Sequence, residues 1–192
     1  MKLYYKGKYD LNPESLPCGE HKKGAVRFKE AEDTKELAVI ANVLCLVLII
    51  VLAVLAFIRC RHYIEGNIWQ MLVGALASQA VIFPHELLHA VCFKGDVYLY
   101  TNWAQGILFV VVPETMSKAR FVVMSLLPNI VFGFIPFMVG MIYPHCLLLT
   151  VLGICATGMG AGDYYNVYNA VTQMPKGART YLYQFHSYWY MP

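Results

Sequence analysis

The sequence predicts an all-α membrane protein: four transmembrane helices, with a small β-hairpin between spans 2 and 3. Three observations lead there. Only 14% of the 192 residues are charged and 58% are hydrophobic, whereas soluble domains carry roughly 25% charged residues. Four apolar stretches are each long enough for a crossing, which takes about 20 residues. Between the second and third lie two short runs of β-branched and aromatic residues, the composition of paired strands.

The head, residues 1–36, is polar and charged and has no apolar core, so it is not a signal peptide. Its Gly, Pro and charged residues show no long periodicity and predict short irregular structure. The first span, residues 37–58, stays as an anchor. The second covers residues 68–93, the third 119–143 and the fourth 146–168. Asp96 to Thr101 and Ile107 to Val112 form the expected hairpin at the interface, with residues 102–106 as its turn; the alternative is a surface loop whose aromatics sit among headgroups. The tail, residues 176–192, is rich in aromatics from Tyr181 to Tyr190 and is expected to anchor at the membrane surface. Residues 59–175 thus make a membrane core between the anchor and the tail.

A net charge of +3 with no basic stripe excludes a nucleic-acid-binding surface. Thirteen Lys and Arg lie in the head, the 94–118 loop with Arg120, and the tail, against two, Arg59 and Arg61, in the opposite loops. This positive-inside bias predicts a multi-pass protein of the cell membrane with both termini cytoplasmic. The six cysteines form no C-x-x-C pair, which argues against a zinc ribbon or a thioredoxin-type motif.

The chemistry is concentrated in Pro84-His85-Glu86-Leu87-Leu88-His89, an H-E-x-x-H run inside the second span. On a helix, residues i and i+4 share a face, so both imidazoles point one way with the carboxylate beside them. Ionisable groups in a bilayer cost several kcal/mol each and mark function. Asp163 is the one charged residue of the fourth span, and it follows Cys146 by 17 residues, as His85 follows Ile68 by 17. The two spans run in the same direction, so His85 and Asp163 lie at one depth. One zinc ion, held by His85, His89 and Asp163, would leave Glu86 to take a proton from the zinc-bound water.

Other residues keep two readings. Asn129, after Pro128, either bonds a substrate backbone or developing oxyanion, or makes a helix–helix hydrogen bond beside a proline kink. Asn166 and Asn169 either orient Asp163 from behind or are polar residues at a helix end. His21, His62, His145 and His186 read as surface residues. Gly160-Ala161-Gly162-Asp163 matches the G-x-G-D motif of intramembrane aspartyl proteases, but that chemistry needs a second Asp in another span. The Tyr-Asp pair here, Tyr9-Asp10, lies in the polar head.

His85-Glu86-Leu87-Leu88-His89 in one span, a hairpin, Pro128-Asn129 in the next span and Gly160-Ala161-Gly162-Asp163 in the last together resemble the site-2-protease-like intramembrane metalloproteases. More closely, the chain resembles the small bacterial membrane proteins grouped as the putative zincin peptidase family, once named as a domain of unknown function. Leu16-Pro17, Lys23-Gly24-Ala25 and Pro175-Lys176-Gly177-Ala178 add to that likeness, which covers nearly the whole chain. It implies a site-2-protease-like core, zinc on His85 and His89, Glu86 as base and Asp163 as the completing ligand. The chain departs from well-studied site-2 proteases in one respect: they carry Asp-Gly in the last core helix, and here the order is Gly162-Asp163-Tyr164.

The expected function is that of an intramembrane zinc metalloprotease acting on a membrane-embedded or membrane-proximal peptide. The alternative from another class is a non-catalytic zinc-binding scaffold or chaperone on the same fold, for which Glu86 would be dispensable. A transporter would need ionisable residues along the outer halves of the spans, and these have almost none.

Overall fold

The computed structural model describes residues 1–103, 107–184 and 186–192. Its elements run β1 (Leu3–Lys8), β2 (Val26–Arg27), α1 (Thr34–Cys60), α2 (Ile68–Val91), β3 (Val97–Asn102), β4 (Ile107–Val111), β5 (Met116–Ser117), α3 (Lys118–Pro128), α4 (Ile135–Ile142), α5 (Leu147–Met159), α6 (Ala161–Gln173), β6 (Arg179–Tyr183) and β7 (His186–Tyr190). A π-helical turn, Asn129–Phe134, joins α3 to α4. The chain divides into a helical unit, Thr34–His85 with Leu126–Tyr165, and a sheet unit, Met1–Asp33 with Glu86–Ser125 and Asn166–Pro192.

Three stretches of the described residues are helical, long and apolar enough to cross a membrane: Thr34–Tyr63, Ile68–Val91 and Lys118–Ile142. Helix α1 has 27 residues, about 40 Å at 1.5 Å per residue. Val39, Val43, Leu46, Ile50, Val54 and Phe57 all stand exposed along it. In water that surface would be a severe liability; in lipid it costs nothing. The expected fourth span is instead a bent pair, α5 and α6, which meet at 52° across Gly160. Counted as one, the pair makes a fourth candidate.

Within the helical unit, glycines let backbones touch. An added Cβ at Gly133 would meet Thr157, one at Gly140 Thr150, and one at Gly153 the backbone of Phe137. Thus α4 and the π-turn lie against α5 with almost no side chain between them, which small residues make possible in apolar surroundings. Gly74 of α2 approaches the Leu148 carbonyl of α5 in the same way, and Gln70 Oε1 accepts from the Leu148 N–H at 3.4 Å. Ala56, Phe137 and Ile154 form the buried cluster of this unit.

The sheet unit holds more strand than the single hairpin expected. One sheet has the order β1-β3-β4 and the other β2-β7-β6-β5. The hairpin is present as β3 and β4, paired from Tyr98–Val111 to Asn102–Ile107. Asn102 closes β3 rather than opening a turn, and residues 104–106 of the expected turn lie outside the described residues. The head is not irregular throughout: β1 pairs parallel with β3, from Leu3–Val97 to Lys8–Thr101, with a bulge between Tyr5 and Gly7. That pairing spans more than ninety residues of sequence, so no local pattern could announce it; strand formation depends on neighbours. The tail is a hairpin as well, β6 with β7, and its aromatics meet each other: Tyr181 stacks on Tyr188 at 5.9 Å. Cross-strand aromatic pairs of this kind stabilise a sheet by roughly 0.2–1 kcal/mol each.

Three buried clusters support this unit: Tyr9, Leu16, Tyr100 and Val111; Phe28, Ala170, Met174 and Ala178; and Ala90, Val97 and Val112. The last ties the end of α2 to the hairpin, because Ala90 follows His89 directly.

Candidate metal centre

Helix α2 runs unbroken through Pro84, which has no N–H to give the Ala80 carbonyl. One residue later the helix presents His85, Glu86 and His89. One ligand atom from each lies within 4.8 Å of the others, the one such group among the described residues. His89 is buried, while His85 and Glu86 are partly so.

Each imidazole is held by a different partner. His89 Nδ1 lies 2.9 Å from the Met124 carbonyl oxygen of α3. A carbonyl can only accept, so Nδ1 is the donor; in the neutral ring Nε2 then carries the lone pair that a metal requires. His85 Nε2 lies 3.1 Å from Asp163 Oδ2, at side-chain exposures of 15% and 16%. Asp163 stands in the first turn of α6, its N–H bonded to the Gly160 carbonyl at 3.0 Å. A carboxylate there is favoured by the helix dipole. Oδ2 also accepts from Asn129 Nδ2 at 2.7 Å. Asn129 is 3% exposed and makes a hydrogen bond from one helical segment to another.

The end of α2 is fixed by a network that sequence reasoning did not single out. Arg120 Nε and Nη2 donate to the Cys92 carbonyl at 2.9 and 2.6 Å, and Nη1 donates to Glu114 Oε1 at 2.6 Å. Glu114 Oε2 accepts from the Lys94 and Gly95 N–H groups at 2.8 and 2.9 Å. Burial pushes the Glu114 carboxyl up, but the two amides and the guanidinium outweigh it, and its pKa falls below the ordinary value. The signal in the sequence was an Arg just inside an apolar helix with a Glu six residues earlier. The Met124 carbonyl left no signal, since backbone groups carry none.

Asn166 lies one turn beyond Asp163 on α6 and is half-buried. Asn169 is buried and accepts from Gln173 Nε2 at 3.0 Å within its own helix. His62 and His145 are exposed, whereas His186 is half-buried. His21 is exposed but bonds to the Tyr181 hydroxyl, with 3.0 Å between Nδ1 and the oxygen.

The group able to hold a metal ion among the described residues is His85, Glu86 and His89; Asp163 lies outside that group and stands beside His85. Two imidazole nitrogens and a carboxylate oxygen make a known catalytic ligand set, with metal–ligand distances of about 2.0–2.2 Å. Two such atoms at tetrahedral positions stand about 3.3 Å apart; His85 Nε2 and Asp163 Oδ2 are at 3.1 Å. A family model described as "putative zincin peptidase" matches residues 78–179. No curated protein and no solved structure matches the chain.

Proposed function

Because the chain belongs to the putative zincin peptidase family, we propose that it is an intramembrane zinc peptidase with a site-2-protease-like core, hydrolysing peptide bonds in or near the bilayer. The observation that carries this reading is the approach of Asp163 Oδ2 to His85 Nε2 across 78 residues of sequence. A carboxylate among apolar helices costs several kcal/mol unless it is paired, and here it meets His85 and Asn129.

His85, His89 and Asp163 would hold the metal. Zinc, when bound, supplies Lewis acidity that acidifies a water and polarises the scissile carbonyl. Glu86 is the general base: it takes the proton of the attacking water and returns it to the leaving amine. The Met124 carbonyl keeps His89 in its ligating tautomer, and the Glu114–Arg120 network keeps the end of α2 in place. The substrate binds extended, adding as a strand along β4, which forms one edge of its sheet; backbone hydrogen bonds would hold it. Membrane embedding is supported by the exposed apolar faces of the long helices, with the bent α5–α6 pair as the fourth span. Cytoplasmic termini are supported by the distribution of Lys and Arg.

The test is proteolysis by the full chain reconstituted in lipid vesicles. Glu86→Gln is expected to retain zinc and fold and to lose roughly 10²–10⁴-fold in rate, the usual worth of a general base. Undiminished cleavage by that variant contradicts the mechanism. Wild-type protein that binds zinc and cleaves nothing under any condition would instead favour a non-catalytic scaffold.

A further inference from the structure

We infer that Asn129 is a positioning residue of this centre: its carboxamide, seated where Gly160 lacks a side chain, holds Asp163 Oδ2 toward His85. The inference rests on the zinc-peptidase reading of the site.

A free carboxylate rotates about its own bond and can aim either oxygen at a metal. Here one oxygen is singled out. Oδ2 receives Asn129 Nδ2 at 2.7 Å and faces His85 Nε2 at 3.1 Å. The orientation of the amide is chemically forced, since the reversed group would set two acceptor oxygens against each other. Asn129 cannot readily swing away, because it is 3% exposed and starts the π-helical turn Asn129–Phe134. Such turns re-aim side chains that a regular helix would point elsewhere.

Gly160 completes the seat. Its φ of −75° and ψ of 11° are open to any residue, so the backbone does not demand glycine. Space does: a Cβ at this position would overlap Asn129 Oδ1 and crowd the rest of the carboxamide. Gly162, two residues on and adjacent to Asp163, has nothing within 4 Å of its would-be Cβ. The two glycines therefore separate a specific steric role from a general preference for small residues. Groups that orient metal ligands are worth about 10–100-fold in metal affinity.

The experiment measures zinc affinity by chelator competition on the detergent-solubilised full chain, together with the visible spectrum of its cobalt(II) form. Asn129→Ala is expected to bind zinc about 10–100-fold more weakly and to change the cobalt spectrum. Gly160→Ala is expected to do likewise, by evicting the carboxamide. The double variant is expected to be no worse than Asn129→Ala alone, because alanine at 129 vacates the contested space. Gly162→Ala is expected to match wild type. Thermal midpoints of the metal-free proteins, measured alongside, separate loss of fold from loss of ligand orientation. Should Asn129→Ala not be recovered folded, Gly160→Ala carries the same comparison. Affinity within about twofold of wild type in the folded variants, or effects of the two substitutions that simply add, overturns the inference and leaves the zinc reading intact. A wild-type chain that binds no zinc brings down the reading itself.

Discussion

The helical unit and the sheet unit solve the same problem by opposite means. In the first, apolar side chains face outward and the inside is made by bringing backbones together: Gly133, Gly140 and Gly153 each leave the room that a neighbouring chain occupies. In the second, large aromatics fill the interior, and charged groups are fastened by networks such as Glu114–Arg120–Cys92. Under the membrane embedding proposed above, the difference follows from the solvent. Where lipid is as apolar as leucine, burying leucine gains little, and close contact is the remaining source of attraction. Where water is present, burial of Tyr9, Tyr100 and Val111 is itself the driving force.

Substitutions can break this contrast, the largest effect coming first. Gly153→Ala places a Cβ against the backbone N, Cα and Cβ of Phe137, atoms that cannot rotate away. We expect a loss of about 3 kcal/mol, at the upper end for overpacking, read as a lowered unfolding temperature in detergent. A wild-type midpoint would mean that the helices are not held by backbone contact. Arg120→Ala strips the Cys92 carbonyl and Glu114 of their donor. Hydrogen bonds to charged groups are worth about 1.5–3 kcal/mol, so a loss of about 2 kcal/mol is expected, with hydrogen exchange rising at Lys94 and Gly95. Unchanged exchange there would show that the network does not fasten the end of α2.

The smallest effect depends on pH. Burial pushes the Glu30 carboxyl from 4.5 up to about 7, against the opposing Ser187 N–H, which it accepts at 2.7 Å. A raised carboxyl pKa means that the folded state holds the proton more tightly. Its stabilising contribution is therefore full below about 4.5, declines as pH rises, and is gone above about 7. His186, 3.6 Å from Glu30 Oε1, has its own pKa lowered by burial and by Arg27 and titrates with the opposite sign. The difference between wild type and Glu30→Gln isolates Glu30. That variant is expected to gain a few degrees in midpoint relative to wild type as pH rises from about 5 to 7.5; parallel curves would contradict the burial of a protonated acid.

The same contrast explains what could be read from sequence. Long apolar runs announce helices whatever they pack against, so Thr34–Cys60 and Ile68–Val91 were legible to within a few residues. The hairpin strands Val97–Asn102 and Ile107–Val111 were legible from β-branched and aromatic content. The equal spacing of His85 and Asp163 along two apolar runs agrees with their meeting, although the second run bends by 52° before Asp163. The pairing of β1 with β3 was not legible, because its cause lies across the chain. The strand pairing of the aromatic tail was not legible, because Tyr and Trp suit a membrane surface and a strand equally well. The break at Gly160 had a visible cause in the glycines, but its 52° bend depends on packing. The hold of Asn129 on Asp163 depends on a rotamer and an empty Cβ site, neither of which a sequence displays.

The central claim is that side chains distant in sequence share one zinc ion, and metal content tests it most directly. Purified wild-type protein is expected to hold one zinc per chain, and His85→Ala and Asp163→Ala are each expected to fall far below that while remaining folded. Full zinc occupancy in a folded Asp163→Ala protein would contradict the account.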